Sequence, residues 1–274
     1  MDFFRVIFLS YLLGFAPIFS VEFDHSFNHS NRELITHFSI FGERCSGTNF
    51  LEYLVKQNII GIESTSEYGH KHFPHWVDLS EYSYSLTDDK SFLEHSNHCL
   101  GILIVRNVYD WVRSFYRNHP HADVSVLDLE FFEFMSEPWT SNDYEPAHTI
   151  DKLNPYQNRP FKNVLELRKF KLMNHLAIGK VMGNFVVVRY EDLREAPEEF
   201  IEYIAYKYGL EQKTKFEPVI RYKGFKNKPF IKKKYRNFTK EEFEFLNSHV
   251  DWAMENRVGY TQKERKEVNS AFPW

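Results

Sequence analysis

Short apolar runs that suit buried strands alternate along this chain with segments of helical periodicity, and this alternation constrains the fold more than any other feature. The strand-like runs are 36–41, 100–105 and 184–188. The segments with helical spacing are 48–59, 108–117, 164–182 and 197–208. A capping box at Thr239 begins a last helix that is expected to run to about Asn256 and stop near Gly259. The pattern predicts an α/β fold: a three-layer sandwich with a mostly parallel central sheet and helices on both faces.

Composition excludes several classes of protein. The 274-residue chain is 43% hydrophobic and 26% charged, so a packed core is expected and global disorder is excluded. The formal net charge of -4 argues against a general nucleic-acid binder. Two cysteines, Cys45 and Cys99, are too few for a disulfide scaffold or a four-cysteine zinc site. They are not expected to pair, because Cys45 follows the end of one strand and Cys99 precedes the start of a parallel one.

The N-terminus carries an uncharged apolar run at 6–21, preceded by Arg5. This pattern favours a signal peptide or signal anchor over 1–22, and a buried first helix of a cytosolic domain is the alternative. Two glycosylation sequons, at Asn28 and Asn237, lean toward the secretory pathway. The expected location is the Golgi lumen or membrane, with the cytoplasm as alternative. The expected divisions are a linker at 23–35, the folded domain at 36–260 and a tail at 261–274.

A glycine-bearing loop separates the first strand from the first helix. Gly42 and Gly47 have the spacing of a nucleotide-binding loop, and such a loop before a helix N-terminus makes an anion site. The next two residues are Thr48 and Asn49, where a nucleoside-triphosphate loop needs Lys and then Ser or Thr for magnesium. The loop therefore suits a phosphate or sulfate ester that needs no metal. The alternative is an ordinary turn that caps a helix.

A second candidate anion site follows the strand at 100–105. Arg106 stands at its carboxyl end, and Ser114 lies about two helical turns further on. A guanidinium and a hydroxyl suit a separate phosphate group. The alternative is a salt bridge at the strand end beside a surface helix.

These motifs together resemble the sulfotransferases that use 3′-phosphoadenosine 5′-phosphosulfate (PAPS). The loop Ser46-Gly47-Thr48-Asn49-Phe50 is similar to the family's 5′-phosphosulfate loop with one change, at Asn49. The family's 3′-phosphate motif is matched except for Val108 in place of proline, by Arg106, Asn107, Asp110, Ser114 and Tyr116. A third match is the strand that ends in Tyr190-Glu191-Asp192-Leu193. The resemblance covers about 36–260 and implies a P-loop-containing, sulfotransferase-like domain.

The resemblance implies a set of donor-binding residues. Phe50 and Tyr190 would lie near the adenine, and Lys223-Gly224 looks like the remnant of a segment that closes over the 3′-phosphate. The complete set is Cys45, Ser46, Gly47, Thr48, Asn49, Phe50, Arg106, Ser114, Tyr190, Lys223 and Gly224. PAPS is the expected donor, and no metal is expected.

The catalytic groups are expected in the dense His/Lys segment 68–75. His72-Phe73-Pro74 resembles a His-Leu-Pro segment whose histidine is the base in cytosolic sulfotransferases, so His72 is the expected general base. Lys71 is the candidate for stabilising the transferring sulfo group. The alternatives are a zinc site formed by His70, His72 and His75, or a structural histidine.

One departure concerns the loop charge. Many family members carry Lys or Arg where Cys45 stands, so Arg44 or Lys71 is expected to replace that charge, or catalysis is impaired. The basic stretch 221–236 could receive an anionic acceptor, or it is a solvated loop.

The predicted function is transfer of a sulfuryl group from PAPS to a hydroxyl or amine of a glycan or protein acceptor. A P-loop nucleotide kinase is one alternative. A non-catalytic relative that binds a glycan or 3′,5′-adenosine bisphosphate is the other.

Overall fold

The computed structural model describes residues 34–72, 95–118, 120–142, 144, 151–220 and 234–270. The apolar run 6–21, His75, Lys223 and Gly224 lie outside these described residues. No helix within the described ranges is long and apolar enough to cross a bilayer.

Four parallel strands form the central sheet. In chain order the strands are β1 (His37–Phe41), β2 (Ile59–Ile60), β3 (Glu63–Ser64), β4 (Cys99–Val105), β5 (Phe185–Arg189) and β6 (Glu211–Gln212). The sheet order is β3-β1-β4-β5, and β2 pairs with β6 in a separate antiparallel ribbon. The three expected strands are confirmed within one residue, and they place the carboxyl ends of β1, β4 and β5 at one edge.

The helices surround this sheet. They are α1 (Thr48–Asn58), α2 (Val108–Arg117), α3 (Val124–Leu127), α4 (Phe131–Ser136), α5 (Val164–Val181), α6 (Tyr190–Glu195), α7 (Pro197–Tyr208), α8 (Lys240–His249), α9 (Trp252–Asn256) and α10 (Arg265–Ser270). The expected single helix from Thr239 to about Asn256 is wrong, because two helices occupy that range. Val250 is extended, and the Asp251 side chain accepts the Met254 N–H and caps α9. A side chain that bonds the local backbone in this way ends one helix and starts another.

The side chains of β4 alternate between two apolar layers, which puts helices on both faces as predicted. Leu100, Ile102 and Ile104 belong to a core cluster with residues of α1 and α7. Leu103 and Val105 belong to a cluster with residues of α5. A third cluster, rich in aromatic residues, joins α2, α4 and the start of α5. Because all seven residues of β4 are buried, this strand is the centre of the sandwich.

The Phe185 ring fills space that two glycines leave open. A Cβ at Gly101 would lie 2.6 Å from Phe185 Cδ2, and one at Gly179 would lie 2.6 Å from Phe185 Cδ1. Both distances are too short for a real contact. The close approach of α5 to the sheet therefore depends on glycine at these positions.

Gly179→Ala is expected to destabilise the protein by about 1–3 kcal/mol, the range for overpacking a core. Alanine in place of glycine inside a helix normally stabilises a protein by about 1 kcal/mol, so the expected effect on stability here is opposite to the usual one. Urea unfolding measures the change. The control is the same substitution in a Phe185→Leu background, where the ring is gone and the cost of Gly179→Ala should shrink; an equal cost in both backgrounds would contradict the proposed contact.

Candidate anion-binding site

A tight loop joins β1 to α1 at the carboxyl edge of the sheet. A Cβ at Gly42 would meet the Ile104 carbonyl oxygen at 2.6 Å, and one at Gly47 would meet the Tyr190 ring at 2.4 Å. Gly47 also has φ +99°, a left-handed conformation that favours glycine. The loop therefore packs its backbone against β4 and Tyr190 with no room for side chains at either glycine.

The N-terminus of α1 is open. Gly47 caps it without a side-chain hydrogen bond, and its first turn contains no acidic residue. The first N–H groups of a helix lack partners within the helix and carry partial positive charge. The neighbouring Ser46 hydroxyl is buried and has no hydrogen-bond partner among the described residues. This arrangement suits an anion that accepts several hydrogen bonds.

Lys71 and His72 lie directly beside this loop, although 22 residues separate Lys71 from Asn49 in the chain. The Gly42 N–H donates to the Lys71 carbonyl at 3.0 Å, and His72 Nδ1 lies 3.0 Å from the Gly42 carbonyl oxygen. Lys71 Nζ donates to Asn49 Oδ1 at 2.6 Å and lies 3.3 Å from Glu52 Oε2. Asn49, the one change in the loop motif, therefore holds an ammonium group at the first turn of α1.

The environment of His72 fixes its tautomer and favours its neutral form. The Gly42 carbonyl can only accept, so Nδ1 carries the proton and Nε2 has the lone pair. Burial lowers the pKa of His72 well below its usual 6.5, and the positive charges of Lys171 and Arg44 lower it further. The hydrogen bond to Gly42 acts in the opposite direction but does not outweigh them. His72 is therefore an uncharged proton acceptor at neutral pH.

Arg106 leaves the carboxyl end of β4 and joins the loop. Its Nη1 donates to the Cys45 carbonyl at 3.1 Å, and its guanidinium lies 4.7 Å from the centre of the Tyr190 ring. Its Nε is buried and has no hydrogen-bond partner among the described residues. Arg106 thus connects the glycine-bearing loop with the second candidate anion site at the end of β4. Its Nε–H remains available as a hydrogen-bond donor.

Hydrogen bonds among three further side chains, Asn107, Glu191 and Tyr260, connect the ends of β4 and β5. Asn107 Nδ2 donates to Glu191 Oε1 at 2.5 Å, and the Tyr260 hydroxyl donates to Glu191 Oε2 at 2.5 Å. The Asn107 side chain also caps α2 by accepting the Asp110 N–H. Glu191 therefore ties the end of β5 to the starts of α2 and of the C-terminal segment.

A buried charge cluster lies behind the loop, formed by Glu43, Arg44, Asp151 and Lys171. Arg44 Nη2 lies 2.5 Å from Asp151 Oδ2, and both side chains are fully buried. Lys171 Nζ, from α5, lies 3.1 Å from Glu43 Oε2 and 3.3 Å from Asp151 Oδ2, and it also donates to the His72 carbonyl. Burial alone would raise the pKa of Glu43, but Lys171 and Arg44 hold it below its usual 4.5.

The position of Arg44 corrects the expectation that it supplies charge to a transferring group. Its guanidinium packs 5.2 Å from the Phe115 ring centre and 5.0 Å from that of Trp139, inside the aromatic core. Its ion pairs with Asp151 and Glu43 are also internal. Arg44 is a structural cation, and Lys71 is the basic side chain at the open face of the loop.

The remaining predicted residues have separate positions around the loop and on α2. Arg194 lies over the Phe50 ring at 4.5 Å, and Thr48 is buried in α1. Cys45 and Cys99 do not form a disulfide, as expected. Ser114 is half-buried on α2, and no contact among the described residues joins it to Arg106. The described residues hold no group of three or more metal ligands, and His75 of the alternative zinc site lies outside them.

The predicted donor-binding and catalytic residues do not include Lys171, Asp151 or Tyr235, although Tyr235 lies in the basic stretch 221–236 that was considered for an anionic acceptor. For Lys171 the available signal was its spacing from Arg168, since two basic residues that stand three apart lie on the same face of a helix, and both are buried in α5. Asp151 and Tyr235 carry no comparable pattern, because their positions depend on how loops return to the sheet edge.

Comparisons with known proteins find similarity in structure. No protein-family model matches the chain, and no curated protein matches it. The chain is similar to a crystal structure of a sulfotransferase from Alicyclobacillus acidocaldarius, with 14% identity and a TM-score of 0.39. The match covers 82% of this chain and 96% of that one. A likeness of this degree assigns no function, which has to follow from the residues of the site.

Lys171→Met is expected to cost about 3–5 kcal/mol of unfolding free energy at pH 7, because Glu43 and Asp151 then share Arg44 alone and the buried cluster keeps one uncompensated negative charge. In the wild type the lowered pKa of Glu43 stabilises the folded state. This stabilisation is complete above about pH 4.5 and is lost as the pH falls through the pKa of Glu43 in the folded protein. In the variant the pKa of Glu43 in the folded state should rise. The difference in unfolding free energy between wild type and variant should therefore become smaller from pH 7 to pH 5.

The matched control is Lys56→Met, which removes an exposed ammonium paired with Glu52 at 2.7 Å. This substitution should change the free energy of unfolding by no more than about 0.5 kcal/mol. Urea titrations at both pH values test the pair of variants; equal losses for the two lysines would contradict the role given to Lys171.

Proposed function

We propose that this protein is a sulfotransferase that uses PAPS as donor. The observation that carries the proposal is the hydrogen bond from Arg106 to the Cys45 carbonyl, which joins an open helix N-terminus and a half-buried guanidinium at adjacent strand ends. PAPS carries two anionic groups, a 5′-phosphosulfate and a 3′-phosphate, and would supply the sulfuryl group. A pair of linked anion sites without a magnesium-binding motif suits such a ligand better than a nucleoside triphosphate.

Each donor group has candidate residues. The loop from Cys45 to Phe50 would hold the 5′-phosphosulfate by its N–H groups, and Arg106 with Ser114 would hold the 3′-phosphate. Tyr190 and Phe50 would contact the adenine. Lys223 and Gly224 are assigned to the 3′-phosphate by resemblance alone. The orphaned Ser46 hydroxyl and Arg106 Nε are unused donors that fit a polyanion.

His72 would accept the acceptor's proton, and Lys71 would stabilise negative charge on the transferring group. Neutral His72 with its Nε2 lone pair has the protonation state that a general base needs. The Lys71 ammonium next to Asn49 supplies positive charge at the open end of α1. This division of roles follows the logic of group transfer, in which positioning and electrostatics dominate.

A non-catalytic relative that binds a glycan or 3′,5′-adenosine bisphosphate is the second candidate. It is favoured by one observation, that Arg44 is buried and Cys45 occupies the position of a loop cation. In the favoured function, Lys71 compensates for that missing charge. We further propose a glycan or protein acceptor and a location in the secretory pathway, on the strength of the sequence motifs; the comparisons do not support a Golgi-type assignment.

Binding of 3′,5′-adenosine bisphosphate should raise the melting temperature of the full chain, with or without EDTA. ATP with magnesium should have a much smaller effect, because no lysine follows Gly47. A thermal-shift series of both ligands measures this difference. Stabilisation by ATP that EDTA abolishes would favour the kinase and overturn the sulfotransferase proposal.

His72→Ala should keep the bisphosphate-induced shift and lower sulfuryl transfer by about 10²–10⁴-fold. In the wild type kcat/KM should be level from pH 8 to 6.5 and fall only in more acidic solution, since protonation of His72 requires a pH well below 6.5. Transfer of label from [35S]PAPS to a panel of glycan, peptide and phenol acceptors provides the measurement. His249→Ala, at an exposed position on α8, is the control and should retain activity; undiminished transfer by His72→Ala would reject the base assignment, and binding without transfer in the wild type would favour the non-catalytic relative.

A further inference from the structure

Two arginines and three aromatic rings alternate in one stack, which we call the arginine–aromatic ladder: Tyr190, Arg106, Tyr235, Arg113 and Phe238. Arg106 lies 4.7 Å from the Tyr190 ring centre and 5.6 Å from that of Tyr235. Arg113 lies 5.4 Å from the Tyr235 ring centre and 4.8 Å from that of Phe238. The ladder runs from the phosphate loop, where Tyr190 packs on Gly47, into the aromatic core. Tyr235 is its central rung and has a cation on both sides.

The two arginines differ in how many of their donors are engaged. Arg113 uses all three guanidinium nitrogens, on the Tyr109 carbonyl, the Arg236 carbonyl and the Asp110 carboxylate. Arg106 uses Nη1 on the Cys45 carbonyl and Nη2 on the Tyr235 hydroxyl, and its buried Nε has no partner among the described residues. Arg113 is therefore a fixed support, whereas Arg106 can still bind a ligand.

The Tyr235 hydroxyl is oriented by this arrangement. Its oxygen accepts from Arg106 Nη2 at 3.1 Å, so its own proton is left to donate. No acceptor for that proton is found among the described residues, and the side chain is half-buried rather than shielded from solvent. A hydroxyl that accepts from a guanidinium becomes a stronger donor, because hydrogen bonds in a chain polarise one another.

The nearby carboxylates do not compete for these donors. Asp110 is engaged by Arg113 at 2.6 Å, and Glu191 is engaged by Asn107 and Tyr260. Burial opposes the charge on Arg106, but these carboxylates and the two tyrosines hold its pKa above its usual range. The result is a permanent cation between two rings, with an unused N–H and a polarised O–H beside it.

We propose that Tyr235 determines specificity at the Arg106 anion subsite, where its phenol O–H and the Arg106 Nε–H together bind a phosphate monoester. The inference rests on the proposed function, which supplies a donor whose 3′-phosphate is that monoester. Tyr235 then distinguishes a ligand with the 3′-phosphate from one without it. The ring stack holds the hydroxyl in place, so little ordering is needed when the ligand binds.

The test compares two ligands and two variants by isothermal titration calorimetry of the full chain. The ligands are 3′,5′-adenosine bisphosphate and 5′-AMP, which differ by the 3′-phosphate alone. Tyr235→Phe keeps the ring and the ladder and removes the hydroxyl, and it should weaken the bisphosphate by about tenfold or more while leaving 5′-AMP unchanged. Tyr206→Phe, at an exposed tyrosine of α7, is the matched control and should change neither affinity. Melting temperatures of both variants verify that they are folded.

The outcomes separate the inference from the function on which it rests. If the wild type prefers the bisphosphate and Tyr235→Phe binds it equally well, the role of Tyr235 is rejected while the donor assignment stands. Tighter binding by Tyr235→Phe would mean that the hydroxyl occupies the phosphate position and has to be displaced, which also rejects the proposal. A wild type that binds neither nucleotide would overturn the proposed function itself.

Discussion

The ion pairs of Lys171 hold the candidate site together. Its ammonium lies between Glu43 at the loop and Asp151 from a distant segment, and it also reaches the carbonyl of His72. Charges buried this deeply lose their hydration, and they persist only where geometry and additional hydrogen bonds compensate for the loss. One side chain from α5 thus fixes the positions of the loop, of the histidine segment and of the segment that carries Asp151.

The groups anchored in this way meet at one edge of the sheet and form the candidate site there. Parallel strands bring their carboxyl ends to one side, where ligands of such folds bind. Here Gly42 follows β1, Arg106 follows β4 and Tyr190 follows β5, and the three residues meet around the open start of α1. Arg106 and Lys71 supply positive charge at this edge although the net charge is -4, so average charge says little about what this edge attracts.

Much of the fold and part of the site could be predicted from local patterns. The central strands and the helix over 108–117 follow directly from apolar periodicity. The resemblance singled out Lys71 and His72 as catalytic candidates, and the structure brings both beside the loop. The last helix was predicted as one element because its capping box and terminal glycine were visible. The Asp251 cap inside it was not visible as a break, since aspartate is also tolerated on helix surfaces.

The amino-acid sequence was sufficient to predict the layered α/β fold and to mark two strand ends as candidate anion sites, one of them without the lysine of a nucleoside-triphosphate loop. These features depend on residues close together in the chain. Which cations are buried and which lie at the open loop depended on long-range contacts in the fold. It buried Arg44 against Asp151, 107 residues away, and placed Tyr235 on Arg106, 129 residues away. Such pairings depend on how distant loops return to the sheet edge, and burial rather than residue type then decides whether a charge supports the fold or is available for binding.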